Sequence, residues 1–186
     1  MAPEAERKDE PMSDAWKLHG AARDIQSITK DWQLVGQELI DGVVVRETAN
    51  VVTGYGRLTE LYRSEWDEGP VGQVFQSALD TGQVSAWHAH GETRDRLFVT
   101  MGRMLVVLYD ARVGSTTHGL LNVFRYGEHR PALISVPPRV WHGVKNIGQT
   151  PGALVNVVDH AYSYADPDHF RVPADSGEIP FDILNA

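Results

Sequence analysis

From residue 41 onward the chain alternates short apolar runs with turn residues. "GVVVRE", "RLTELYR", "QVFQSAL", "QVSAWHAH", "RLFVTMG" and "RMLVVLYDAR" are followed by "LLNVFRY", "ALISVP", "WHGVKN" and "ALVNVVD". These runs are rich in β-branched and aromatic residues, and Gly, Pro, Asp or Asn separates them at short intervals. Helical periodicity is almost absent, so the pattern predicts about ten short strands in an antiparallel sandwich or small barrel. The exception precedes them. "AARDIQSITKDWQLV" spaces Ile25, Ile28 and Trp32 as one side of a short amphipathic helix. Residues 1–15 are charged and poor in apolar groups, which predicts a disordered or loosely attached tail. The division expected is an N-terminal extension over residues 1–30, partly disordered, and a β-barrel domain over residues 31–186. The C-terminal stretch "YSYADPDHFRVPADSGEIPFDILNA" mixes Pro and Asp with aromatics. It predicts an ordered loop across the barrel, because Tyr162, Tyr164, Phe170 and Phe181 are costly to leave in water.

Composition narrows the classes of partner. A formal net charge of −8 in 186 residues argues against nucleic acid and against an anionic membrane as general partners. The absence of cysteine excludes disulfides and thiolate metal ligands. No apolar run has the length of a bilayer span, and the first residues lack the apolar stretch of a secretion signal, so a cytoplasmic location is expected.

The candidate chemistry centres on "SAWHAHGETRDRLFVTMG". On a strand, residues two apart share a face, so His88 and His90 project together. Asp95 follows a turn expected at Gly91, and "VPPRVWHGVKN" brings His142 to the start of another strand. Three imidazoles and a carboxylate at His88, His90, Asp95 and His142 suit a divalent ion such as Fe, Mn, Ni or Zn. The same imidazoles suit proton transfer, and plain hydrogen-bonded core histidines are the bland alternative. Trp87 and Trp141 each precede one of these histidines and, by alternation, turn away from it. His118, His129, His160 and His169 read as loop or surface residues.

The two histidine segments resemble the paired motifs of the cupin barrel. Gly82, His88, His90, Asp95 and Gly102 keep the first motif's spacing, with Asp where Glu is usual. Pro137, His142 and Asn146 keep the second, with Arg139 where glycine is usual. The implied fold is all-β, a double-stranded β-helix of the cupin or jelly-roll type. From about Ile40 to Ile183 the chain is further similar to the deoxysugar-nucleotide branch typified by dTDP-4-dehydrorhamnose 3,5-epimerase. "GYGRLTELYR", "VFQSAL", "MGRMLVVLYDARVGSTTHG", "VPPRVWHGV" and the tail follow that family's segments in order.

This resemblance implies an epimerase or isomerase that removes a proton beside a keto group of a deoxysugar, free or nucleotide-linked, with no cofactor. It makes His88 the base, Asp175 the residue that orients it, and His142 and Arg96 the groups that polarise the oxygen. It places Gln76 near the substrate and implies a homodimer; Arg57, as a contact for a nucleotide diphosphate, and Tyr162 and Tyr164 are further substrate-binding candidates. Two departures stand out. Val155 falls where the family has its proton-donating tyrosine, and Ser85 replaces an anion-binding arginine. Tyr162 and Tyr164 are the candidates for a replacement donor. Two other readings stay open: a metal-dependent cupin oxygenase or isomerase built on His88, His90, Asp95 and His142, and a non-catalytic sugar-binding cupin.

Overall fold

The computed structural model describes residues 16–67 and 69–186. Its contacts divide the chain into two compact units, with the boundary between Gly36 and Gln37. The predicted tail over residues 1–15 lies outside the described residues.

In the first unit the helix expected over residues 21–35 does not form. A narrow turn takes its place, with an antiparallel bridge between Ile28 and Leu34. The Thr29 hydroxyl accepts the Gln33 N–H at 3.1 Å, and the Thr29 N–H donates to the Gln33 carbonyl at 2.7 Å. Trp32 sits at the tip with φ of +58°. Side-chain bonding of this kind competes with helical hydrogen bonds. The helix also had no surface to reward its apolar stripe, since Ile25 and Trp32 are exposed.

The second unit is a sandwich of two five-stranded antiparallel sheets. One runs in the order β1 (Val44–Glu47), β9 (Ala132–Val136), β6 (Asp95–Met101), β11 (Gly152–Val158) and β4 (Gln73–Leu79). The other runs β12 (Phe170–Arg171), β5 (Val84–Ala89), β10 (Trp141–Asn146), β7 (Arg103–Tyr109) and β8 (Leu121–Gly127). A separate hairpin pairs β2 (Asn50–Thr53) with β3 (Gly56–Thr59). The predicted runs thus became strands, and β2 and β12 join them. This is the jelly-roll arrangement of a cupin.

Burial follows strand alternation. Met104, Val106 and Leu108 of β7 face the inter-sheet core with Leu97, Val99, Phe124, Ile134, Val144 and Leu154. Leu105 and Val107 face the other way, into a second cluster with Trp87, Ile179 and Ile183. The C-terminal segment therefore covers the outer face of the second sheet, which is why "MLVVL" has no polar position. Trp87 and Trp141 both belong to that outer cluster, turned away from the histidines as alternation requires.

Two left-handed glycines fix the turns that carry the site. Gly82 (φ +76°) precedes β5, and Gly102 (φ +74°) joins β6 to β7 where a Cβ would stand only 3.1 Å from the Gly152 Cα. Arg139, at the position where the second cupin motif has glycine, adopts φ of +67°. The backbone has kept the conformation that the motif's glycine serves. Its N–H donates to the His90 carbonyl at 2.6 Å, which ties the approach to β10 to the end of β5.

Candidate active site

His88 lies on β5 and His142 on β10, and the two are register partners on adjacent strands. Their ring centroids are 4.1 Å apart, edge to face. His90, just past β5, brings its centroid to 5.7 Å from that of His142 and 6.1 Å from that of His88. These rings face a cavity of about 710 Å³ between the sheets. The opposite wall is made by Gln73, Phe75 and Ser77 of β4, Asp95 and Leu97 of β6, and Leu154 and Asn156 of β11.

Asp95 organises the histidines. Its Oδ2 lies 3.2 Å from His142 Nε2 and 3.3 Å from His90 Nε2, and its Oδ1 accepts the Asn156 amide at 2.6 Å. Burial alone would raise this carboxyl. The His142 hydrogen bond and charge, followed by His90 and Asn156, hold it well below the usual carboxylate range.

The other ring nitrogens define the tautomers. His142 Nδ1 is 3.1 Å from the Val140 carbonyl, and His90 Nδ1 is 2.5 Å from the Asp168 carbonyl. A carbonyl only accepts, so both Nδ1 atoms carry the proton. Each Nε2 then faces the ionised carboxylate. Such a contact is attractive only with a proton or a cation between the two atoms.

His90, Asp95 and His142 offer ligand atoms within 4.8 Å of one another. Two imidazoles and a carboxylate with their Nδ1 protons held by backbone carbonyls fit a divalent ion. His88 stands outside this compact set. The four-ligand metal site expected from the motif spacing is therefore reduced to three ligands here.

A fourth imidazole enters from the C-terminal segment. His169 has its centroid 4.9 Å from that of His90 and 5.3 Å from that of His88, and it lines the cavity. This corrects the surface position expected for it. A lone histidine in a loop has no period to reveal its direction, so nothing in the pattern could have found it.

Asp168 anchors this segment across the cavity mouth. Its carboxylate accepts the backbone N–H groups of Gly91, Glu92 and Thr93 at 2.6, 2.9 and 2.9 Å, and the Thr93 hydroxyl at 2.9 Å. Against the cost of burial, these bonds hold its carboxyl down at about 2.

Several expected site residues are elsewhere. Arg96 follows Asp95 on β6 and so faces the opposite side of the sheet. It is fully buried there, bonded to Asp67 Oδ2 at 2.8 Å and to the carbonyls of Pro70 and Val157, and cannot polarise a substrate oxygen in the cavity. Gln76 pairs with Val155 on that same outer side, while Gln73, Phe75 and Ser77 face in.

Asp175 is exposed on a turn beyond β12 and does not line the cavity, so it does not orient His88. Arg57, on the β2–β3 hairpin, pairs with Glu128 at 2.9 Å instead of facing the histidines. Tyr162 lines the cavity, whereas Tyr164 is 89% exposed and sets its ring edge-on to that of Tyr162. Ser85 lines the cavity where the resemblance placed an arginine. On β11 the inward positions are Leu154, Asn156 and Val158, none of which carries a phenol.

His88 lines the cavity and stands at the position that the resemblance gives to the base. Burial, and then the neighbouring His142, lower its pKa to about 2. It is held neutral, in its proton-accepting form, across ordinary pH.

No family model matches the chain. Among curated proteins, a probable low-salt glycan biosynthesis epimerase of Haloferax volcanii is 39% identical over 139 residues, 73% of this chain and 89% of that protein. A spore coat polysaccharide biosynthesis protein of Bacillus subtilis is 34% identical over 146 residues, 77% of this chain and 95% of that protein. Among solved structures, a dTDP sugar isomerase of Desulfovibrio desulfuricans superposes with a TM-score of 0.74 at 28% identity, covering 79% of this chain and 94% of that one. The dTDP-4-dehydrorhamnose 3,5-epimerase of Sulfolobus tokodaii shares the fold, with a TM-score of 0.64 at 22% identity over 73% of this chain and 80% of that one. A jelly roll with a histidine-lined cavity, joined to the sequence relationship with the Haloferax protein, places the chain in the cupin-fold family of sugar epimerases.

Proposed function

We propose that the chain epimerises a 4-keto-6-deoxyhexose carried on dTDP, by removing and returning a proton beside the keto group. The observation that carries this reading is His88, an imidazole on the wall of the inter-sheet cavity among four others, His90, His142, His160 and His169. In the first step His88 takes the proton, and the electrons of the broken C–H bond move into the carbonyl to give an enolate. In the second step a proton returns to the same carbon from the other side, and the ketone reforms with inverted configuration. Nothing is oxidised or reduced overall.

With Arg96 on the far side of its sheet, the groups we assign to stabilise the enolate oxygen are Asn156, through its second amide N–H, and Arg139, both lining the cavity. Tyr162, the tyrosine on the cavity wall, is the donor we assign to the return step. The barrel edges support a homodimer: Val44 on β1 and Val74 on β4 are exposed at the two ends of one sheet. Sedimentation should show a dimer at micromolar concentration, and a monomer there would reject the assignment. A cytoplasmic site of action accords with a nucleotide-sugar substrate, and no described helix is long and apolar enough to cross a membrane.

One observation favours a second reading. His90 and His142, whose Nε2 atoms converge on Asp95, would with that carboxylate hold a divalent ion, which would supply Lewis acidity to a bound oxygen. A single assay separates the two. Chelator-treated protein in D₂O should exchange the hydrogens beside the keto group of dTDP-4-keto-6-deoxyglucose, seen as a mass gain. Exchange that vanishes with chelation and returns with Fe, Mn, Ni or Zn would support the metal-dependent enzyme instead. Binding with no exchange under either condition would leave a non-catalytic sugar-binding cupin.

A further inference from the structure

A nucleotide diphosphate brings a dianion into a cavity that is short of positive charge. Asp95 and Asp168 are held ionised there, and Glu92 and Asp166 stand exposed on its lining. Among the described residues two permanent cations line it, Arg139 and Arg171. The arginines that could have served from elsewhere are already engaged: Arg57, Arg96 and Arg112 each pair with a carboxylate. Ser85 stands where the resemblance has its anion-binding arginine and carries no charge. Arg139 gives its Nε to the Gly91 carbonyl at 3.2 Å and is assigned to the enolate oxygen. Arg171 is exposed, and no described residue bonds or pairs with its guanidinium.

We propose that Arg171 binds the diphosphate of the substrate, so that the anion contact missing at position 85 of β5 is supplied by the neighbouring strand β12. Arg171 is the register partner of His88. Residues directly opposite on antiparallel strands leave the sheet on the same face, with Cβ atoms about 5 Å apart. The substrate requires that closeness. Its diphosphate is joined to C1 of the sugar, and the carbons beside a 4-keto group, C3 and C5, are each separated from C1 by a single ring atom. A base that reaches either carbon and a cation that reaches the diphosphate must therefore be near neighbours, as His88 and Arg171 are. The backbone that carries the cation is held on both sides. Trp87 and Val172 exchange backbone hydrogen bonds at 3.1 and 3.2 Å, and the Asp168 carboxylate accepts the N–H groups of Gly91, Glu92 and Thr93. A guanidinium meets phosphate oxygens through parallel N–H donors, which fixes orientation as well as charge. Ser85, on the same strand as His88 and on the cavity wall, leaves open the space that an arginine side chain there would fill.

The proposal rests on the nucleotide-sugar reading, and the experiment separates the two. Isothermal titration of the full-length protein with dTDP should show an affinity about 10- to 100-fold lower in Arg171→Gln, the loss of a hydrogen-bonded charge, and a smaller loss in Arg171→Lys. Thymidine, which has no phosphate, should bind the wild type and the glutamine variant alike. Adding Ser85→Arg to Arg171→Gln should recover about fivefold in dTDP affinity, because it returns the charge to the neighbouring strand. With dTDP-4-keto-6-deoxyglucose, KM should rise by the factor seen for dTDP while kcat falls less than about threefold. An Arg171→Gln protein with wild-type affinity for dTDP, or with a loss that extends equally to thymidine, overturns the proposal and leaves the epimerase standing. Weaker dTDP binding by the variant, in a protein whose wild type exchanges no substrate hydrogen, upholds Arg171 and overturns the epimerase assignment.

Discussion

Replacing His88 by glutamine is expected to lower kcat by about 10³- to 10⁴-fold and to abolish deuterium uptake from solvent, while the nucleotide sugar still binds within a few-fold of its wild-type affinity. The size of the effect follows from the reaction. A carbon acid beside a ketone gives up its proton only to a positioned base, and loss of such a group removes that step's main contribution. Glutamine keeps the length and polarity of the side chain, so the wall of the cavity stays intact. Its amide nitrogen has no available lone pair with which to take the proton.

His90→Gln provides the comparison. His90 has both ring nitrogens committed, one to the Asp168 carbonyl and one toward Asp95, so in the proton-transfer reading its loss costs far less turnover. Equal loss in both variants, with a stoichiometric divalent ion present in the wild type and lost from His90→Gln, would favour the metal-dependent enzyme. Mass spectrometry of the recovered sugar together with isothermal titration measures both quantities.

The pairing of His88 with His142 shows what the sequence made legible. The period of two on β5 puts His88 and His90 on one face, and the spacing of the second motif delivers His142 to the neighbouring strand. Those are local regularities, and the fold keeps them. The same rule, applied consistently, would have removed Arg96 and Gln76 from the site. Asp95 and Arg96 are consecutive on one strand, so a cavity that takes the first cannot take the second. Gln76 sits between Phe75 and Ser77, which face in. The resemblance carried these two residues over by position along the chain, and strand geometry decides against them.

Asp175 and His169 were illegible for another reason. Both lie on a segment without periodicity, where a side chain's direction depends on what the segment packs against. Phe181 and Ile183 pack on the outer sheet, Asp168 binds the turn after β5, and between these anchors the path places His169 inside and Asp175 outside. The expectation that all four aromatics of this segment would be buried fails for the same reason. Tyr164 stands in solvent beside the Tyr162 ring, and Tyr162 and Phe170 themselves stay partly exposed.

Asp95 carries the second large effect, on stability. Its side chain is 3% exposed and holds two imidazoles and an amide, so Asp95→Leu should cost about 3–5 kcal/mol, the usual result of removing one partner from a buried charged network. Asp95→Asn should behave differently. Its carbonyl can still accept the Asn156 amide, and once its imidazole neighbours are neutral its own NH₂ can donate to the Nε2 atoms of His90 and His142, the Nδ1 protons being held by backbone carbonyls. The asparagine variant should therefore regain most of the stability at pH 7 while losing the negative charge that binds a proton or a cation there.

Acid should narrow the difference between wild type and asparagine. The folded carboxyl is depressed below its unfolded value near 4, so the stabilisation it gives is complete above about pH 5 and declines as pH falls toward the folded pKa. Urea unfolding midpoints of the three proteins at pH 7 and pH 3 measure these terms. An asparagine variant as unstable as the leucine variant at pH 7 would mean that the Nε2 atoms carry protons, and that Asp95 serves the fold as one half of an ion pair with the imidazoles.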